Sequence, residues 1–162
     1  ASPDLVFFGG EYPVAASLRS QAEKAGLGTP LMGGDGMKDD AFIQQAGATA
    51  EGALASTVGV PLAAMTSATS FEAAYQAAGF EHPASAYGPY AYDAANAIIR
   101  SLAAVLNGEQ SPIDARPNLL KAILTVTFDG ASGKVGFDQY GDTLYPVFTL
   151  YVVKDGVWTP LT

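Results

Sequence analysis

The sequence predicts an α/β fold, and three observations predict it. Short apolar runs alternate with stretches of helical spacing through the first part of the chain. Each apolar run ends at glycine: DLVFF at Gly9 and Gly10, TPLM at Gly33 and Gly34, EGALASTV at Gly59. The runs are continuous rather than alternating, which is the pattern of strands buried on both faces of a parallel sheet.

The elements follow in order. DLVFF, 4–8, is the first strand. YPVAASLRSQAEKAGLG then places Val14, Leu18, Ala22 and Ala25 near helical spacing. Pro13 suits the first turn of that helix, and Gly26 suits its end. TPLMGG, 29–34, is the second strand. KDDAFIQQAG, 38–47, is a short helix with Asp39 and Asp40 in its first turn, favoured by the helix dipole, and Gly47 at its end. EGALASTVG, 51–59, is the third strand. This βαβαβ alternation predicts a doubly wound layer with right-handed crossovers.

Residues 60–70 are small and irregular. SFEAAYQAAGF, 70–80, is a helix capped by Ser70 and ended by Gly79. EHPASAYGP, 81–89, is a break, interrupted by Pro83, Gly88 and Pro89. YAYDAANAIIRSLAAVLNGE is the longest helical run, closed by Asn107 and Gly108. Its apolar residues fall on more than one side, which predicts burial over much of its surface. RPNLLKAILTV, 116–126, is a further helix. FDGASGKVGFD is a glycine-rich turn into a strand. YPVFTLYVVKDGVWTPL reads as two strands joined by a type I′ turn at Asp155 and Gly156. The change of pattern predicts two packing units joined near 80–88.

The totals bound the function. At 162 residues there is room for one domain or two small lobes. A positive mean hydropathy and only 15% charged residues describe a well-buried chain and exclude a disordered one. Sixteen acids stand against eight bases, a net charge of −8 that excludes nucleic acid as a partner and disfavours anionic membranes. Cysteine is absent, which removes disulfides, thiolate nucleophiles and Cys-ligated zinc. No apolar run reaches the ~18 residues of a membrane-spanning helix. ASPDLVFFGG has neither the basic start nor the cleavage site of a signal peptide, so Ala1 is expected to be a processed end or a boundary within a longer chain.

Chemistry is expected beyond the carboxyl ends of the strands, where open α/β sheets bind ligands. Glu11 and Asp35 each follow a Gly-Gly pair at such an end. Two neighbouring carboxylates without a base between them attract an ammonium, a guanidinium or a metal. The competing reading makes them loop residues that cap the next helices. GGDGMKDD lacks the spacing of a calcium loop and of the glycine-rich phosphate loops. His82 is the only histidine and falls in the break, so a transition-metal site or a histidine triad has no material. A carboxylate pair suffices in principle for acid–base hydrolysis, which keeps an α/β enzyme using Glu11 and Asp35 as an alternative. Tyr87, Tyr90 and Tyr92 gather at the break, where aromatic rings suit a ligand wall or a core equally. Trp158 reads as packing.

DLVFFGGEYPVAASLRSQAEKAGLGTPLMGGDGMKDDAFIQQAGATAEGALAST, with YAYDAANAI, GKVGFDQYGD and YVVKDGVW following in order, resembles the second lobe of the branched-chain amino-acid-binding proteins of ABC importers, the type I periplasmic-binding family. The resemblance covers essentially the whole chain. It implies Rossmann-like lobes around a hinge, with a small amino acid or amine-bearing solute held between them. It further implies that Glu11 lines the cleft, that Asp35 holds the ligand's α-ammonium, and that Tyr87 packs on the ligand. Gly10 and Tyr12, which flank Glu11, join the expected ligand-binding set. The Glu11 position is often aromatic in Leu/Ile/Val binders, so a more polar ligand is expected here. Family chains are roughly double this length, and the carboxylate-holding side of the site is expected in the part not present. Residues 1–80 and 147–162 would be second-lobe elements, 81–87 the hinge crossover, and 88–146 elements returning to the first lobe. The helices of 88–146 would then need that missing half, or a swapped copy, as a partner. An ABC permease as membrane partner, a periplasmic or extracellular location, a lipid anchor on the full-length protein, and the absence of cofactor, metal and catalysis all follow from the same resemblance. A ligand sensor of the same fold that signals through a partner is the remaining alternative.

Overall fold

The computed structural model describes residues 3–106 and 111–161. The chain forms two compact units, one built from Ala1–Gly59 and Val147–Thr162, the other from Val60–Pro146.

The first unit holds β1 (Val6–Phe8), α1 (Tyr12–Lys24), β2 (Leu31–Gly33), α2 (Asp40–Ala46), β3 (Leu54–Val58), β6 (Phe148–Lys154) and β7 (Val157–Pro160). Its sheet runs β1-β2-β3-β6-β7. β1, β2 and β3 are parallel, and β6 and β7 are antiparallel to their neighbours. α1 packs against α2, so both crossover helices lie on one face. The α/β expectation holds, with a parallel-rich sheet and flanking helices. The doubly wound layer does not. Double winding needs a reversal of strand order that sends helices to the second face, and here the three parallel strands stay in chain order.

Small residues let α1 and α2 come close to the sheet. Ala15 and Ala16 of α1, Ala46 of α2 and Ala53 are buried around Phe42, Met37, Leu31 and Val153. Trp158 lies over Phe42 with ring centroids 5.6 Å apart and donates its indole N–H to the Asp39 carbonyl at 3.0 Å. The reading of Trp158 as packing is thus met. The hairpin expected at Asp155 and Gly156 is present. Both residues have positive φ, 53° and 74°, as a type I′ turn requires.

The second unit holds α3 (Thr69–Ala77), α4 (Gly88–Val105), α5 (Pro112–Thr125) and the hairpin β4 (Phe128–Gly130)–β5 (Gly133–Val135). Residues 60–80 were expected with the first unit, yet they group with the helices that follow. Phe71 of α3 packs on Tyr92 of α4 at 5.4 Å, and Ser67 Oγ donates to the Ala131 carbonyl at 2.8 Å. Ser70 does not cap α3. The helix grows out of a 3₁₀ turn at Thr66–Ala68 and so begins one residue earlier, without a side-chain cap.

α4 buries a single stripe, Pro89, Asp93, Ala97 and Ser101, at four-residue spacing. Ile98 and Ile99 remain 50% and 63% exposed. The expectation of burial over much of α4 is therefore not met, because α5, the β4–β5 turn and Phe71 of α3 leave Ile98 and Ile99 uncovered within the unit. Its expected closure at Asn107 and Gly108 lies outside the described residues. α5 starts a turn earlier than expected. Ser111 caps it by accepting from Asp114 N at 3.3 Å, and Pro117 sits inside the helix rather than at its start.

Candidate functional site

β1 and β2 are level at their carboxyl ends, with Phe8 opposite Gly33. The chain leaves β1 through Gly9 and Gly10, and Glu11 takes the N-cap position of α1. It leaves β2 through Gly34, and Asp35 opens a one-turn 3₁₀ helix, Asp35–Met37. Parallel pairing and equal exit points bring the two loops side by side. A Cβ placed on Gly36 would stand 3.3 Å from Glu11 Cγ and 3.5 Å from the Gly10 carbonyl oxygen. Glu11 and Asp35 are both solvent-exposed in this mouth.

Glycine is needed here for two separate reasons. A Cβ on Gly10 would lie 2.5 Å from the Phe8 ring, so the β1 exit closes only over a bare backbone. A Cβ on Gly33 would lie 2.7 Å from Met37, a fully buried residue that anchors the Asp35 turn from below. Phe8 and Met37 thus fix the backbone of each loop while leaving the carboxylates outward.

The capping reading of the acids divides between residues. Glu11 occupies a cap position but makes no side-chain cap bond. Asp39 is the acid that caps: its Oδ1 accepts from Ala41 N at 2.7 Å at the start of α2. Lys38 lies over the Tyr151 ring at 4.8 Å. Tyr12, expected among the ligand contacts, is half-buried and packs against the core beneath α1. Tyr87 belongs to the second unit, at the N-cap position of α4, and is 48% exposed. His82 is exposed in the segment before α4. Among the described residues no group of three His, Asp or Glu side chains could hold a metal ion.

One residue of structural weight was not singled out from sequence. Asp93, in the YDA motif of α4, is 3% exposed. Its carboxylate accepts from Ala131 N at 2.9 Å, Ser132 N at 2.7 Å and Ser132 Oγ at 2.6 Å. A Cβ on Gly130 would overlap that carboxylate. Asp93 therefore clasps the β4–β5 turn onto α4, and glycine is the residue that lets the turn come close enough. Burial, and then the Asp93 charge, raise the Tyr90 phenol above its ordinary 10.0. The available signal was an acid inside an otherwise apolar helical run, paired later with a Gly-Ala-Ser-Gly turn.

The family model described as periplasmic binding protein matches residues 1–156. The chain belongs to this family. A leucine-, isoleucine-, valine-, threonine- and alanine-binding protein of Pseudomonas aeruginosa is 29% identical over 151 residues, covering 93% of this chain and 38% of the relative. A leucine-binding protein from Thermotoga maritima has a similar structure, with a TM-score of 0.76, 25% identity and 99% of this chain covered against 44% of its own. A branched-chain amino-acid transporter substrate-binding protein from Streptococcus pneumoniae, solved with isoleucine, gives a TM-score of 0.62 at 26% identity, covering 96% and 42%. This periplasmic-binding chain thus spans less than half the length of these relatives. The type I resemblance read from GGEYP, GGDG and YDA is met by all three comparisons.

Proposed function

We propose that this chain is part of an extracytoplasmic solute-binding protein of an ABC importer, and that the mouth between the β1 and β2 exits takes the ammonium end of an amino acid or a similar amine-bearing solute. The observation that carries this reading is the contact of the two loops, which sets Glu11 and Asp35 at one edge of the parallel sheet. Asp35 is the ammonium anchor in this reading. Glu11 adds a second negative charge to the mouth, which favours polar over purely aliphatic side chains. The names of the relatives, leucine, isoleucine and threonine binders among them, support an amino acid as the ligand class. The ligand's carboxylate would be held by residues outside this chain, and Tyr87 would pack on the ligand. In the same reading, the unit of Ala1–Gly59 and Val147–Thr162 belongs to the second lobe and the unit of Val60–Pro146 to the first. A membrane permease would receive the loaded protein.

The test is titration calorimetry of the intact protein with a panel of L-amino acids, comparing wild type with Asp35→Asn. Truncating one partner of a desolvated charge pair costs roughly 2–5 kcal/mol, and the variant should lose that much affinity for any amino acid the wild type binds. Affinity unchanged by Asp35→Asn would remove the residue from the site.

A further inference from the structure

The second unit contains a cleft of about 520 Å³, within the range of small-molecule sites. It lies between α3, α4 and β4, wholly within that unit. Its lining mixes aromatic rings with polar and charged side chains. Phe71 stands 5.8 Å from Tyr75 and 5.4 Å from Tyr92, a run of tilted rings along one side. Phe128 of β4 lines the same cleft, and Arg100 of α4 sits over its ring at 4.5 Å.

The charges of this cleft are not equivalent. Asp93 is engaged by three hydrogen bonds from the β4–β5 turn. Asp129 is paired with Lys134 at 3.0 Å. Arg100 forms no ion pair among the described residues. Its Cζ stands over the Phe128 ring, and a guanidinium laid flat on a ring keeps its in-plane N–H groups for an acceptor. Asn96, one turn before Arg100, lines the same space and donates its side-chain N–H to the Tyr92 carbonyl, so its amide oxygen remains as an acceptor.

We propose that this cleft is a second small-molecule site, separate from the Glu11–Asp35 mouth, and that it takes an aryl carboxylate. The ring lies against Phe71, Tyr75 and Tyr92. The carboxylate is received by Arg100 in a fork of two N–H···O bonds, the arrangement in which arginine outperforms lysine. A neutral aryl alcohol satisfies the wall and not the fork. An aryl amine satisfies the wall, offers the Arg100 fork no acceptor and sets a second cation beside it.

The experiment titrates the intact protein with 3-phenylpropanoate, 3-phenylpropan-1-ol and 3-phenylpropylamine, followed by calorimetry and by amide chemical shifts. The expected result is preference for the acid by about tenfold or more over the alcohol, the usual scale of a charge-assisted bidentate contact. Shifts are expected at 67–75, 92–100 and 128–131, and an excess of amino acid should leave them in place. Arg100→Gln should abolish the preference for the acid while the alcohol still binds. Asn96→Asp, which adds a negative charge beside Arg100 and leaves the rings intact, should do the same. Equal binding of acid, alcohol and amine overturns the proposal. So do acid binding unaffected by either variant, shifts confined to Gly10, Glu11 and Asp35, and failure of the acid to bind at all.

Discussion

Removing the Asp93 carboxylate should loosen the second unit from inside. In Asp93→Ala the N–H groups of Ala131 and Ser132 lose their acceptor, and the Ser132 hydroxyl loses a third bond. A buried donor left without a partner costs about 1–3 kcal/mol. Ala131 is 8% exposed and bears that cost in full. Ser132 is half-buried, so its groups turn partly to water and fall at the low end. Against this, the variant no longer buries a charge, which returns part of the loss. The net expectation is destabilisation of about 2–4 kcal/mol. Asp93→Asn keeps the shape but turns one acceptor into a donor that faces another donor, so about half that loss is expected. Urea unfolding followed by far-UV circular dichroism measures it, since most helical residues lie in α3, α4 and α5. Hydrogen exchange of the Ala131 and Ser132 amides locates it. If Asp93→Ala unfolds at the wild-type urea midpoint and the Ala131 amide stays as protected as before, the clasp is not what holds the hairpin to α4.

Phe42 is fully buried under Trp158 in the first unit, and Phe42→Ala should cost about 3–5 kcal/mol, read from Trp158 fluorescence during urea unfolding. A loss below about 1 kcal/mol would mean that the core collapses around the gap. Tyr90 and Tyr151 are both raised above 10.0, chiefly by burial. The unfolded chain therefore releases these protons first as pH climbs. Stability should fall as pH rises past 10, with no effect of these groups below it. Absorbance titration of tyrosinate checks the direction. A folded protein whose tyrosines all ionise at or below 10 contradicts it.

Local chemistry made the first unit legible. Gly-terminated apolar runs became β1, β2 and β3, Gly47 ended α2, and Asp155-Gly156 made the hairpin turn, because each depends on residues close in sequence. The winding was not legible. The alternation of strands and helices is the same whether or not strand order reverses, and only pairing distinguishes the two. The adjacency of Glu11 and Asp35 followed from consecutive parallel strands, whereas the clasp at Asp93 joins residues nearly forty apart and has no local signature. α5 was misplaced for a specific reason. The apolar spacing is read only from Arg116 onward, whereas Ser111 and Asp114 form the cap one turn earlier. The exposed Ile98 and Ile99 mark where sequence apolarity exceeds what this chain alone can cover.

The pairing of β3 with β6 has a consequence for how this chain tolerates rearrangement. The strand that leaves the first unit and the strand that re-enters it are antiparallel neighbours, tied at the exit by Gly59 N donating to the Val147 carbonyl at 2.7 Å. To the first sheet, everything from 60 to 146 is the loop of one long hairpin. That makes the segment a cassette. It can be exchanged for the equivalent stretch of a relative, or replaced by a tight turn, without re-registering a single strand of the sheet that receives it. Recombination at Gly59 and Val147 is thus the seam along which this scaffold can be cut and rejoined.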